Sequence, residues 1–156
     1  MAMANTLHAT LQKQHITYEV STHSRTGCSM DTAMVAHVPG DRLAKSVILG
    51  DEYGYVMVVV PANRHVAVHS LGRRLGRQLH LANEEELVGL FPDCTPGAIP
   101  PIGSAYGLRT VVDDALTRQR EVFFEAGDHV ELVHMQIDDF LDLMADADRA
   151  ACSLPM

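Results

Sequence analysis

Leu43-Ala44-Lys45-Ser46-Val47-Ile48-Leu49, a turn at Gly50-Asp51-Glu52, and Tyr55-Val56-Met57-Val58-Val59-Val60-Pro61 make up the stretch on which the fold turns. The first run reads as a strand over about 44–49. The second is continuously apolar and ends at a proline, as a strand buried on both faces should. Lys45 is one of two lysines in the 156 residues, and it sits inside the apolar run. An unpaired buried ammonium is costly. Two readings therefore stand: Lys45 faces a cavity or an anionic ligand, or it lies at a strand edge and carries its head to solvent.

Working outward, Ala4, Leu7 and Leu11 recur at helical spacing within residues 3–14. Residues 16–20 alternate as a strand. The polar stretch 21–29, which carries His23, reads as a loop, and 31–37 as a short helix stopped by Pro39-Gly40. Residues 62–75 read as mostly helical. Asn83 caps the next helix, and Glu86 is placed to complete a capping box. Residues 91–103 hold Pro92, Pro96, Pro100, Pro101, Gly97 and Gly103, too dense a set for a helix or an interior strand. Later strands fall at 107–112, 121–125 and 130–135. The last helix starts near Gln136, with Ile137, Phe140, Leu141 and Met144 on one face. The tail, 150–156, reads as loose. About six strands interleaved with four to five helices predict a single α/β domain with a mixed sheet, core about 16–145.

Composition narrows the classes. Apolar residues make 47% and charged residues 21%, ordinary for a globular chain. No stretch approaches a membrane span, and residues 1–13 lack the apolar core of a secretory signal. Cys28, Cys94 and Cys152 form no CxxC pair, which argues against a disulfide framework or zinc finger and for a reducing cytoplasm. Residues 1–80 carry a net +3 and residues 81–156 a net −11, giving the overall −8. That excess argues against tight non-specific nucleic-acid binding. The cluster Arg64, Arg73, Arg74 and Arg77 leaves room for one local contact with a polyanion.

Three segments could carry chemistry. Lys45 is one. The loop Gly97-Ala98-Ile99-Pro100-Pro101-Ile102-Gly103 is the second; its fixed backbone can aim N–H groups at a carbonyl or anion, and it equally suits a surface turn. Ala126-Gly127-Asp128-His129 is the third. Gly127 permits a tight turn, and His129 suits either acid–base work or a plain position in a strand–strand turn. His65 and His69, spaced i, i+4, could share a helix face, but no zincin pattern accompanies them and no metal or cofactor site is expected. No serine sits in a GxSxG elbow. Cys94 reads as a nucleophile or, more plainly, as a small buried residue.

Taken together these segments resemble the YbaK / prolyl-tRNA synthetase-associated editing domain family, from Tyr18 to about Leu143. The resemblance is carried by His23, Leu43-Ala44-Lys45-Ser46-Val47 and Val58-Val59-Val60-Pro61-Ala62. It continues through Leu90-Phe91-Pro92-Asp93-Cys94, the Gly97–Gly103 loop and Phe124-Glu125-Ala126-Gly127-Asp128-His129. It implies a mixed, curved YbaK-like sheet and a free-standing deacylase that hydrolyses the ester of a mischarged tRNA. Lys45 would hold the terminal adenosine, the GxxxP loop from Gly97 to Pro101 would cradle the aminoacyl carbonyl, and His129 would contact the substrate's amino or hydroxyl groups. Lys45, Gly97 and His129 are then the catalytic candidates, with His23, Ser46, Ala98, Ile99, Pro101 and Gly127 binding substrate. Alanine on tRNA for proline is the first expected substrate, serine or cysteine the next. The expected partner is the aminoacylated 3′ end of a tRNA, with a synthetase or elongation factor as a further partner and no membrane. Two rival readings are a non-catalytic module that binds aminoacyl-tRNA or a nucleotide, and a hydrolase of other activated esters.

Overall fold

The structure, a computed structural model, describes residues 3–26 and 28–156. Helix α1 (Asn5–Lys13) leads into β1 (Glu19–Thr22) and α2 (Ser29–Val35). A 3-10 turn (Gly40–Arg42) opens β2 (Leu43–Asp51), which is followed by β3 (Gly54–Pro61), β4 (Arg64–Val66), α3 (Val68–Leu75) and β5 (His80–Leu81). Then come α4 (Glu84–Leu90), a second 3-10 turn (Gly103–Tyr106), β6 (Arg109–Asp113) and α5 (Asp114–Thr117). The chain ends with β7 (Glu121–Glu125), β8 (Glu131–Gln136), α6 (Ile137–Leu143), β9 (Asp148–Ala150) and β10 (Ser153–Pro155).

The hairpin β2–β3 is the centre of the fold. Its antiparallel register runs from Ala44 opposite Pro61 to Asp51 opposite Gly54. The main sheet has eight strands, in the order β1-β8-β7-β2-β3-β6-β9, with β5 also on β2. The β7–β2, β3–β6 and β6–β9 pairs are parallel and the rest antiparallel, so the sheet is mixed. Val56 to Val60 are all inaccessible, as their unbroken apolar run requires. Met57 and Val59 face one core, with Leu7 and Leu11 of α1, Phe91, Leu116 and Phe140. Val56, Val58 and Val60 face the other, with Leu71 of α3. A smaller cluster joins Ala33 of α2 to Leu43, Ala62 and Leu132.

One side of β2 is divided between two partners. Parallel strand β7 pairs with it at Leu43 and Ala44, and β5 pairs at Leu49 and Gly50. Among the described residues no strand pairs with Lys45, Ser46 or Val47 on that side, so the sheet splits where the lysine lies.

The α/β class, the mixed sheet and the Asn83–Glu86 capping box are as the sequence predicts, with the box closed by bonds of 2.8 and 3.1 Å. The described strands number ten against the expected six, because four short ones, Arg64–Val66, His80–Leu81, Asp148–Ala150 and Ser153–Pro155, lie where the pattern gives other readings or none. Residues 62–75 are not one helix: Arg64–Val66 pairs with Ser153–Pro155, and the helix begins only at Val68. His65 and His69 thus lie on different elements. The tail is not loose. The Asp113 carboxylate accepts the Cys152 N–H at 2.9 Å and the Ser153 hydroxyl at 2.6 Å, while Arg64 Nε donates to that hydroxyl at 2.6 Å. The first strand begins later than 16–20 suggests, at Glu19, and α2 begins earlier, at Ser29.

Asp113 is 2% exposed, so removing its carboxylate strands a buried N–H. Asp113→Ala is expected to cost about 1–3 kcal/mol in urea unfolding and to open residues 151–156 to limited proteolysis.

Candidate active site

The split in β2 opens onto a cavity of about 260 Å³ lined by Lys45, Ser46, Ala62, Gly97 and, from α2 and its cap, Cys28, Ser29 and Met30, with Met156 at the rim. Lys45 is half-buried, and its Nζ donates to the Ala62 carbonyl at a long 3.3 Å. Burial holds its pKa below the ordinary lysine value, and the neighbouring Cys28 offsets this in part. Lys45 thus lines a cavity and also lies at an unpaired stretch of strand edge, with features of both sequence readings.

Gly97 is exposed on the cavity wall with φ 89°, in the left-handed region that favours glycine. The next residues turn inward: Ala98, Ile99 and Pro101 are buried, and Ile99 belongs to the main core. The loop is tied down from behind. Thr95 N–H donates to the Gly127 carbonyl at 2.7 Å, and the Pro96 carbonyl lies 3.3 Å from His129 Nε2.

Gly127 (φ 105°) and His129 (φ 61°) make the β7–β8 turn, with the Asp128 carboxylate accepting the Val130 and Glu131 N–H groups at 3.0 and 2.9 Å. These donors hold the Asp128 carboxyl below its ordinary range although burial alone would raise it. A Cβ on Gly127 would stand 2.8 Å from the Ala4 Cβ, and Ala4 N–H donates to the Ala126 carbonyl at 2.9 Å. The start of the chain therefore packs directly under the turn.

Behind the loop lies Glu125, which sequence reasoning quotes in a motif without giving it a role. Its Oε1 is 2.7 Å from His23 Nε2 and its Oε2 is 3.1 Å from His129 Nδ1. His23, Glu125 and His129 are 9%, 4% and 4% exposed. Burial raises the Glu125 carboxyl above its ordinary range, against the pull of both histidines. The signal in the sequence was a carboxylate at the end of the apolar run Val122-Phe123-Phe124, where an unpartnered charge is unfavourable.

The nine sequence candidates thus fall into three places. Lys45, Ser46 and Gly97 share the cavity wall; His23, Gly127 and His129 lie behind the loop; Ala98, Ile99 and Pro101 are buried within it. Cys94 lies apart from the cavity lining, bonded to the Tyr106 hydroxyl, and burial pushes its thiol up to about 12, which makes it a poor nucleophile. Among the described residues no group of three His, Cys, Asp or Glu side chains is arranged to hold a metal.

The fold recurs in solved structures. One, described as a candidate trans-editing enzyme for prolyl-tRNA synthetase, superposes with TM-score 0.81 at 22% identity, over 97% of this chain and 96% of that one. The protein APE2540 gives TM-score 0.84 at 21% identity, over 96% and 100% of the two chains. A signal-transduction candidate from Marinobacter aquaeolei gives 0.75 at 24% identity, over 96% of this chain and 30% of that longer one. No curated protein shows a significant sequence match. The profile of the aminoacyl-tRNA editing domain matches residues 23–143, and the chain belongs to that family.

Burial with one long hydrogen bond disfavours the charged form of Lys45 in the folded protein. Lys45→Met is expected to melt no lower than the wild type near neutrality. Because the lysine's pKa is depressed by folding, any advantage of the methionine variant shrinks as pH rises toward the ordinary lysine range. Thermal melts across pH check both points.

Proposed function

We propose that this editing domain is a free-standing hydrolase that clears a wrong amino acid from the 3′ end of a tRNA. The observation that carries the reading is the meeting of Lys45, Ser46 and Gly97 on the wall of one cavity. In this reading the Lys45 ammonium holds the phosphate or ribose of the terminal adenosine. The ester carbonyl lies against the loop. Pro96, Pro100 and Pro101 have no N–H, the Ala98 N–H is spent on the Thr95 carbonyl and the Ile102 N–H on the Pro100 carbonyl. Of the remaining N–H groups, those of Ile99 and Gly103 belong to buried residues, and Gly97, exposed on the wall, is the donor this reading assigns to the carbonyl oxygen.

A water attacks that carbon, the bond to the ribose oxygen breaks, and the proton passes to the departing 3′-hydroxyl. An aminoacyl ester is already activated, so positioning and polarisation do most of the work and no protein nucleophile is needed. The substrate's own 2′-hydroxyl can relay the proton. His129 has one ring nitrogen on Glu125 and the other on Pro96, which suits holding the loop in place.

Alanine is the first substrate in this reading, then serine or cysteine. A stiff loop rejects larger side chains by clash, whereas one methylene is worth only about 1–3 kcal/mol in a permissive pocket. The likeness to a candidate trans-editing enzyme for prolyl-tRNA synthetase makes tRNA for proline the first tRNA to test. Lys45, Val47 and Leu49 alternate onto the sheet face covered by α3. Exposed Arg73 and Arg74 of α3 line two separate hollows of about 620 and 180 Å³ and offer the tRNA phosphates a grip. Arg64 and Arg77 serve the fold instead, bound to Ser153 and to Asp51. Three free cysteines and a tRNA substrate suit the cytoplasm.

The test is deacylation of tRNA for proline charged in turn with alanine, serine, cysteine and proline. Loss of alanine with proline spared is expected, slowed about 100-fold or more in Lys45→Ala. Ester loss at the spontaneous rate on every charged tRNA, with tight binding retained, would replace this reading by that of a non-catalytic module. Arg73→Ala with Arg74→Ala is expected to raise KM, leave kcat unchanged and lower the salt dependence of binding by about two counterions.

A further inference from the structure

The Glu125 carboxylate lies between two imidazoles whose outer nitrogens are already engaged. His23 Nδ1 is 2.7 Å from the Ser24 carbonyl, and His129 Nε2 is 3.3 Å from the Pro96 carbonyl. A carbonyl oxygen only accepts, so each of these nitrogens carries a hydrogen. In neutral rings the inner nitrogens, His23 Nε2 and His129 Nδ1, then turn lone pairs toward Glu125. A carboxylate facing lone pairs makes no hydrogen bond, so each inner contact needs a proton of its own.

The two contacts differ. His23 to Glu125, at 2.7 Å, is a hydrogen bond. His129 to Glu125, at 3.1 Å, is close, yet His129 Nδ1 and Glu125 Oε2 are buried without a hydrogen-bond partner. One proton thus resides between His23 and Glu125, and the His129 side has a place for a second. The three side chains come from the end of β1, the end of β7 and the turn that follows it, so their contacts lock three segments together.

We propose that Glu125 is a positioning residue for the 96–101 loop: it shares protons with His23 and His129, and the number shared sets how firmly His129 holds Pro96 and, next to it, Gly97. This rests on the reading that the loop receives the ester. A second proton draws His129 onto Glu125 and fixes the loop. Loss of the shared proton in alkali leaves the carboxylate against two lone pairs and frees it. The other charged groups nearby are Asp128, in the same turn as His129, and Glu131 on β8, bonded through its N–H to Asp128. The Asp128 charge favours keeping the proton on Glu125. The sign agrees with the raised carboxyl: a group whose folded pKa is raised stabilises at lower pH and stops doing so as pH climbs through that value.

The test is NMR on the full-length, uniformly nitrogen-15-labelled protein across pH, together with Glu125→Gln, whose amide keeps the shape and cannot titrate. Protons are expected on His23 Nδ1 and His129 Nε2. The Thr95, Gly97 and Ala98 amide signals are expected to move with the same titration in the wild type and to stay still in Glu125→Gln. Opposite tautomers, or loop signals that ignore the titration, overturn the proposal; both readouts are independent of any substrate. In the deacylation assay, kcat above the spontaneous rate should fall on the alkaline side for the wild type. Glu125→Gln should flatten that limb and lower kcat about tenfold, with KM changed less than about twofold. A loop that titrates in a protein that deacylates nothing would retire the editing reading and leave the proton-sharing unit standing. A Glu125→Gln protein with the wild-type melt and an unchanged pH profile would retire the positioning role.

Discussion

On its second side strand β2 is shared between two partners and left unpaired between them, and the candidate site lies at that gap. On one side it is fully paired with β3, in an eight-residue register. On the other, β7 meets only its first two residues and β5 only two near its end. The interval holds Lys45, Ser46 and Val47. A backbone stretch without a neighbouring strand leaves polar groups that a sheet would otherwise consume. A lysine placed there reaches a cavity without crossing a packed layer. The apolar run Val56 to Val60 makes this tolerable, since its unbroken burial on both faces holds the hairpin whatever happens on the far side of β2.

Much of the fold was legible because it rests on local patterns. The hairpin, the capping box at Asn83 and Glu86 and the loop of prolines and glycines each declare themselves within a few residues. What stayed hidden depends on distant partners. Arg64–Val66 has no strand signal of its own and becomes one because Ser153–Pro155 lies beside it. The tail looked loose because its anchor, the Asp113 carboxylate, is some forty residues away in sequence. At the site the same division holds. Lys45 and Gly97 announce themselves by being unusual for their surroundings. Glu125 does not, because its meaning depends on His23, 102 residues earlier in the chain.

The layers behind the loop show how a site without a strong nucleophile can still be stiff. Gly127 is pressed against Ala4 of the N-terminal segment, its carbonyl takes the Thr95 N–H, and His129 leans on the Pro96 carbonyl. The segment bearing Ala4 is held in turn by α1, whose Leu7 and Leu11 are fully buried and whose Thr6 N–H donates to Asp93 at 2.9 Å. Asp93 also accepts the Tyr106 hydroxyl at 2.7 Å, so one carboxylate ties the start of the irregular 91–103 segment to α1 and to the 3-10 turn that follows the segment. Buried polar groups of this kind are costly unless each finds a partner.

The uneven charge of the chain then reads as a division of labour. The −11 of residues 81–156 lies mostly on surface helices and turns such as Glu84–Leu90 and Ile137–Leu143, whereas the arginines of α3 sit on the sheet face that Lys45 shares. Two exposed arginines side by side on one helix of an otherwise acidic chain make a local place where a polyanion meets less repulsion. Only two of the four clustered arginines are left exposed for such a contact, since Asp51 and Ser153 take the other two. In the editing reading, a weak grip of this kind is an advantage: an enzyme that must release a correctly charged tRNA quickly gains nothing from holding the phosphate backbone tightly, and discrimination is left to the small cavity at the split in the sheet.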